Sequence, residues 1–317
     1  METLEGFMSA YGEGLARIDG TLSIYRKEIP GRVAVVTGGG SGHEPGWLEY
    51  IGDGFADAIV QGDVFAAPSP NRIVEAAKAV HRGKGILFVY ANYAGDKLNF
   101  DLAADDLADE GIEVRSVRSC DDAAGAPLER RTDRRGIAGG FFTSKIAGAA
   151  VAAGYDLAAA AAVAERASRH TRSIAVASAG GTVPGSDVPT FILPEGKMEI
   201  GLGMHGEQGV RRGDMMSADD TVTHMLNLVL QDAAELQPKD VCILVNGLGA
   251  TTRGELFIVY RKTAQLLAAA GLNVHHTIVG EVTTSQEMHG FSISIFALDD
   301  ELKRLYDAPC RASFFSR

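Results

Sequence analysis

The chain has 317 residues, 46% of them hydrophobic and 22% charged, which is the composition of a folded protein and excludes a disordered one. Its 41 acidic and 30 basic residues give a net charge of −11, which argues against nucleic acid as the main partner, because phosphate backbones bind basic surfaces. Three widely spaced cysteines predict no disulfide framework. The acidic N-terminus lacks the pattern of a secretory signal, so we expect a cytoplasmic protein.

The first half of the chain alternates predicted strands with predicted helices. The strands are expected at 32–37, 85–90, 112–117 and 173–177, and the helices at 70–82, 100–110, 141–153 and 156–170. The alternation predicts a largely parallel sheet with helices on both faces. The apolar stretch 146–164 is broken by glycines and an aspartate, so it predicts two packed helices and no membrane span.

The second half repeats this pattern after a segment rich in proline. Residues 182–194 hold three prolines and predict a loop, which places a domain boundary near residue 180. Further strands are expected at 198–202, 241–245, 274–279 and 291–296, and further helices at 219–236, 255–270 and 300–306. The fold class predicted is α/β, with two α/β domains (1–180 and 181–317) built on mostly parallel or mixed sheets.

The first candidate motif is GGGSGHEP at 38–45, directly after a predicted strand, where α/β sheets usually bind ligands. Glycines without a Cβ let backbone N–H groups approach a ligand oxygen closely in a tight loop. The motif is not a nucleotide loop, because no Gly-Lys-Ser/Thr follows and His43 replaces the third glycine of a dinucleotide fingerprint. The alternative is a tight turn with an incidental histidine.

The second candidate is Asp96, which follows the strand at 85–90 within NYAGD. A carboxylate at this position can accept a proton from a substrate hydroxyl. The alternative is a helix N-cap, and the motif by itself favours that alternative.

The third candidate is His205, flanked by small residues in GLGMHGE at 201–207. A neutral imidazole can add to a ketone carbonyl, and Glu207 can act on the charge or orientation of the ring. The alternative is an ordinary turn histidine, and the motif alone does not separate the two. No His-Glu-x-x-His motif or carboxylate cluster predicts a protein-bound metal.

Taken together, six sequence blocks in this order resemble the dihydroxyacetone kinase K-subunit family. They are GGGSGHEP, GDVFAAPSP at 62–70, NYAGDKLNFD at 92–101, GMHGEQG, LVNGLGAT and DAPC. The resemblance runs from about residue 31 to residue 310, which is nearly the whole chain.

The resemblance implies a subunit that binds short ketoses such as dihydroxyacetone. In that family the ketone is held as a covalent hemiaminal on a histidine that matches His205. The hydroxyl that receives the phosphoryl group is engaged by residues that match His43 and Asp96. Three further positions line the substrate, and they match Gly40, Ser41 and Gly42.

The resemblance also implies which partners the chain needs. The K-subunit binds no nucleotide, and ATP or ADP with Mg²⁺ is carried by a separate L-subunit or a fused L-domain. The phosphoryl donor is then ATP itself or a phosphotransferase-system protein that recharges the ADP. The family fold is two α/β domains, usually paired as a homodimer, with no nucleic acid or membrane partner.

One departure from the family pattern affects the substrate. Ala91 stands where the family usually has a lysine before NYxGD, so a positive contact to the substrate is missing. A four-carbon ketose such as erythrulose is therefore a candidate substrate. Two other functions also fit the motifs: a ketose-sensing coactivator without turnover, and a lyase or isomerase acting on a phosphorylated ketose.

Overall fold

The computed structural model describes residues 1–236 and 238–317, and the first of its two six-stranded sheets comes from the N-terminal third of the chain. The strands are β1 (Leu15–Arg17), β2 (Ile24–Arg26), β3 (Ala34–Ser41), β4 (Ala58–Val64), β5 (Ile86–Ala91) and β6 (Val114–Ser119). Their order is β1-β2-β4-β3-β5-β6. Strands β4, β3, β5 and β6 run parallel to one another. Strand β2 pairs antiparallel with both β1 and β4.

The second sheet is mixed and mainly antiparallel. Its strands are β7 (Thr171–Ala179), β8 (Lys197–Ile200), β9 (Arg211–Asp214), β10 (Asp240–Gly247), β11 (Asn273–Gly280) and β12 (His289–Ala297). Their order is β11-β10-β12-β7-β8-β9, and only β10 and β11 are parallel. The predicted fold class allowed a mixed sheet, and this sheet is mixed, whereas the largely parallel arrangement that alternation favours describes the first sheet. Parallel neighbouring strands need a crossover connection, which is usually a helix. No helix lies in the connections from β7 to β8, from β8 to β9 or from β11 to β12.

The helices form three layers around the two sheets. They are α1 (Glu2–Tyr11), α2 (Pro70–Val80), α3 (Ala94–Asp109), α4 (Gly140–Ala152), α5 (Leu157–His170), α6 (Ala218–Asp232), α7 (Arg253–Ala269) and α8 (Asp300–Asp307). Helices α2 and α3 cover the outer face of the first sheet, and α6 and α7 cover that of the second. Helices α4 and α5 lie between the sheets in a shared core.

This position explains the apolar stretch in the middle of the sequence. Every residue of α4 from Gly140 to Val151 is buried, because sheets or helices surround it. Asp156 caps the N-terminus of α5 by accepting a hydrogen bond from Ala159 N, so two helices meet at a turn as predicted. Within the described residues, no helix combines the length and the apolar character needed to cross a bilayer.

The predicted α/β fold class is confirmed, and the predicted strands and helices recur with their ends shifted by a few residues. The exception is α3, which begins six residues before its predicted start. Helix α1 and the short strands β1, β2 and β9, together with β4, were not predicted. The division into domains at residue 180 stays a prediction, but β7 already belongs to the second sheet. The proline-rich segment 182–194 is a loop that joins β7 to β8 within that sheet.

Candidate active site

The candidate site lies where the carboxyl ends of β3 and β5 meet loops from the second sheet. The turn after β3 is held by the segment before β12: Thr284 N donates to His43 O at 3.0 Å, and Gln286 N donates to Gly42 O at 3.1 Å. The loop after β8 brings His205 to the same place. Because both sheets contribute, no single strand-and-loop motif contains the site.

The glycine run continues β3 and does not form the predicted loop. Gly38 pairs with Val60 on β4, and a Cβ at Gly38 would lie 2.0 Å from the Val60 carbonyl oxygen. A Cβ at Gly40 would lie 2.7 Å from Ala66 N, so glycine lets the chain after β4 pack against the strand. The turn begins at Gly42, with φ of +90°, and its N–H donates to the Glu44 carboxylate at 3.1 Å. The glycines therefore permit close packing of the chain against β3, and their contact with a ligand stays a prediction.

The two predicted histidines are in direct contact. His43 Nε2 lies 3.1 Å from His205 Nε2, and the ring of His43 is buried whereas that of His205 is one-quarter exposed. His43 Nδ1 faces the Thr284 carbonyl oxygen at 2.8 Å, and His205 Nδ1 faces the Glu207 carboxylate at 3.1 Å. Carbonyl and carboxylate oxygens only accept, so both Nδ1 atoms carry hydrogen.

This hydrogen-bond pattern leaves one proton to share between the two rings. With both Nδ1 atoms protonated, neutral rings would direct two lone pairs at each other across 3.1 Å. One proton between the Nε2 atoms turns this repulsion into a hydrogen bond. Burial, followed by the charge of His205, lowers the pKa of His43 to about 3. Burial raises the pKa of Glu207, but its hydrogen bond and attraction to His205 outweigh burial and lower it.

Asp96 is the third predicted residue, and it is buried with one carboxyl oxygen unpartnered. It lies in the first turn of α3, whose N-cap is Tyr93, so the N-cap alternative is wrong. Its side chain is buried and Oδ1 has no hydrogen-bond partner. Burial raises the pKa of Asp96 to about 7, although the charge of His205 acts in the opposite direction. A carboxyl group with this pKa and one free oxygen suits proton transfer near neutral pH.

Two aromatic rings enclose His205. The Phe65 ring stacks on His43 with centroids 4.9 Å apart and lies edge-on to His205 at 5.4 Å. The Tyr93 ring meets His205 edge-on at 4.8 Å. Phe65 has φ of +58° and Gln286 has φ of +54°, and among the described residues no other non-glycine residue has positive φ. Such strain costs about 1–3 kcal/mol and concentrates at functional sites, which fits a site at this position.

The structure thus brings His43 and His205 together and places Asp96 close enough for the charge of His205 to act on its pKa. Ser41 is half-buried at the end of β3. Sequence reasoning missed the enclosing ring of Phe65, although it lies within the GDVFAAPSP block, and it missed Thr284 altogether. In the described part of the chain, no group of three or more His, Cys, Asp or Glu side chains is arranged to hold a metal.

Comparisons with known proteins identify the family to which the chain belongs. The family model described as the Dak1 domain matches residues 5–314. The dihydroxyacetone-binding subunit DhaK of PTS-dependent dihydroxyacetone kinase 2 from Listeria innocua is 40% identical, covering 99% of this chain and 95% of that protein. The L-erythrulose kinase of Pectobacterium atrosepticum is also 40% identical over 100% of this chain, which spans only 54% of that protein.

A solved structure also matches over nearly its whole length. The dihydroxyacetone kinase operon co-activator Dha-DhaQ has a TM-score of 0.90 and 29% identity, with 98% of this chain and 96% of that chain covered. The same fold therefore occurs in relatives named as kinases, as a kinase subunit and as a co-activator.

Proposed function

Because this chain belongs to the Dak1 domain family, we propose that it is the ketose-binding part of a kinase. It would bind a short ketose covalently on His205 and present a terminal hydroxyl for phosphorylation. The observation that carries this proposal is the contact of His205 Nε2 with His43 Nε2 at 3.1 Å, in a site that also holds the buried carboxyl group of Asp96.

The histidine pair supplies both groups that hemiaminal formation needs. With the shared proton on His43 Nε2, the Nε2 lone pair of His205 attacks the carbonyl carbon, and a C–N bond forms. The π electrons of the C=O bond move to oxygen, which takes the proton from His43 Nε2 and becomes a hydroxyl, so that His43 is left neutral. The product is a carbinol on an imidazolium ring, and Glu207 faces that positive ring through Nδ1 at 3.1 Å.

Covalent attachment accounts for selectivity with so small a substrate. A ketose offers little surface for binding, whereas an alcohol such as glycerol has no carbonyl and cannot form the adduct. Attachment also restricts the terminal hydroxyl to one region of the site, which favours in-line attack. Asp96 is the proposed base that removes the hydroxyl proton, and its pKa of about 7 leaves it substantially ionised at neutral pH.

The phosphoryl donor is proposed to come from another chain. The glycine run is a strand and not a nucleotide loop, so this chain offers ATP no cradle at that motif. A nucleotide-bearing L-type subunit or domain would carry ATP or ADP with Mg²⁺, which neutralises the charge of the transferred phosphoryl group. A phosphotransferase-system protein is the alternative donor, as the name of the Listeria relative indicates for that protein. Pairing of the chain as a homodimer remains a prediction.

The substrate is proposed to be a ketose of three or four carbons. The buried Ala91 at the end of β5 packs in the core between the sheets and brings no positive charge toward the ketose. Related proteins are named for dihydroxyacetone and for L-erythrulose. A ketose with one more carbon and hydroxyl would add contacts that compensate for the missing lysine.

The adduct can be tested with a ketose labelled with ¹³C at the carbonyl carbon. On binding, the NMR signal of that carbon should leave the ketone region and appear where carbinol carbons resonate. His205→Asn should abolish the new signal, whereas His81→Asn, at the end of α2, is the matched control and should retain it. An unchanged signal in the His205 variant would disprove the covalent anchor.

A second candidate function is a ketose sensor without turnover, which the TM-score of 0.90 to a co-activator favours. Two reconstituted mixtures separate the two functions. One contains an L-type subunit and ATP with Mg²⁺, and the other contains an L-type subunit that carries ADP together with phosphotransferase-system proteins. A kinase phosphorylates the labelled ketose and loses this activity in Asp96→Asn. A sensor forms the adduct but gives no phosphorylated product with either donor.

A further inference from the structure

A second cavity, of about 260 Å³, lies beside β6 at the edge of the first sheet and shares no lining residue with the candidate active site. Four arginines from four different elements line it: Arg118 of β6, Arg131 of the 3₁₀ helix Leu128–Asp133, Arg169 of α5 and Arg172 of β7. A cavity of this size suits a small ligand, since drug-sized ligands occupy about 300–1,000 Å³. So many cations in one cavity are unexpected in a chain of net charge −11.

Carboxylates neutralise only part of this charge. The buried Arg172 pairs with Asp232 and with Glu235 at 3.0 Å, but Asp232 is shared with the equally buried Arg134 at 2.5 Å. Arg169 has a loose partner, Glu165, at 3.8 Å. In residues 1–236 and 238–317, neither Arg118 nor Arg131 has a carboxylate within 4.0 Å. Two of the arginines that line the cavity therefore form no ion pair with a described carboxylate.

The arrangement is electrostatically unfavourable without a ligand. Burial and then the charges of Arg172 and Arg169 lower the pKa of Arg131, which is the result of crowding like charges in a partly buried place. A bound anion would attract these arginines and offset the repulsion between them. Guanidinium groups match the oxygens of phosphate through paired N–H donors, and Thr132 also lines the cavity.

We propose that this cavity binds a phosphate group, either free phosphate or the phosphate of a small monoester, through Arg118 and Arg131. The inference does not depend on the ketose chemistry at His205, because the two sites share no residue. A ligand of this chemistry would be available from the product of the proposed reaction, which is itself a phosphate monoester.

The test uses the full chain and two probes, inorganic phosphate and glycerol 3-phosphate. The second probe has no ketone, so it cannot form an adduct at His205. Binding is measured by calorimetry on the wild type, on Arg118→Gln and on Arg131→Gln. The matched control is Arg130→Gln, an exposed neighbour in the same 3₁₀ helix that pairs with Asp133 and does not line the cavity.

We expect saturable binding that is reduced about tenfold or more in either cavity variant, which is the effect of losing a hydrogen bond to a charged group. Binding should be unchanged in Arg130→Gln and in His205→Asn. A higher affinity for glycerol 3-phosphate identifies a monoester as the ligand, and equal affinities identify free phosphate. Arg131→Gln should fold at least as stably as the wild type without ligand, since it removes repulsion. Absence of binding, or binding that survives both cavity variants, overturns the proposal.

Discussion

Asp96→Asn is expected to make the protein more stable while abolishing phosphoryl transfer. The carboxyl group is buried and its Oδ1 has no partner, so the fold bears the cost of desolvating a charge at neutral pH. The amide has nearly the same shape and no charge to desolvate. If Asp96 had a structural role, its replacement would instead make the fold less stable.

The size of the effect follows from the pKa. Burial raises the pKa of Asp96 from 3.8 to about 7, and each pKa unit corresponds to about 1.4 kcal/mol. A carboxyl group whose pKa is raised by folding makes the fold less stable as the pH rises. The loss occurs between its pKa in the unfolded chain, about 4, and its pKa in the folded protein, about 7. We therefore expect Asp96→Asn to increase the free energy of unfolding by up to about 4 kcal/mol at about pH 8 and by less than about 1 kcal/mol at about pH 4.

The measurement is urea denaturation of wild type and variant at several pH values. The matched control is Asp105→Asn, an exposed carboxylate on the same helix, which should change stability little at any pH. A variant that is no more stable than the wild type at about pH 8 would refute the argument, as would a gain in stability that does not depend on pH. Retained phosphoryl transfer would refute the role of Asp96 as the base.

Three further predictions test the surroundings of the histidine pair. Glu207→Gln should weaken ketose adduct formation about tenfold, because an amide replaces the charged acceptor of the His205 Nδ1 proton; titration of the ¹³C carbinol signal measures this. The ring ¹⁵N signals of His43 should be those of a neutral imidazole from about pH 5 to about pH 8, since its pKa is about 3, and protonation of both its ring nitrogens in that range would contradict its burial. Gly38→Ala should destabilise the fold by about 1–3 kcal/mol in denaturation experiments, because its Cβ would meet the Val60 carbonyl oxygen; full stability would contradict the strand pairing.

Much of the fold could be predicted because local patterns determine it. The strand at β5 is a run of apolar and aromatic residues between glycine and the NYAGD turn, and α5 begins at an aspartate cap. Strand direction in the second sheet could not be predicted in this way. Whether β12 runs parallel or antiparallel to β10 depends on which strands become neighbours, and neighbours are chosen by the packing of the whole sheet.

The candidate site, like the fold, could be predicted from the sequence only in part. His43, Asp96 and His205 could be selected from the sequence, because reactive side chains flanked by small residues follow strands at the edge where ligands bind. The sequence by itself determined the chemical groups available and the family they resemble. Only the tertiary structure decided that two Nε2 atoms are in contact, that the glycine run is a strand, and that Asp96 is buried with Oδ1 unpartnered. The pKa values of side chains depend on their burial and on their distance from other charges. His43 and His205 are 162 positions apart in the chain, so they become buried and close to each other only when the two sheets pack together.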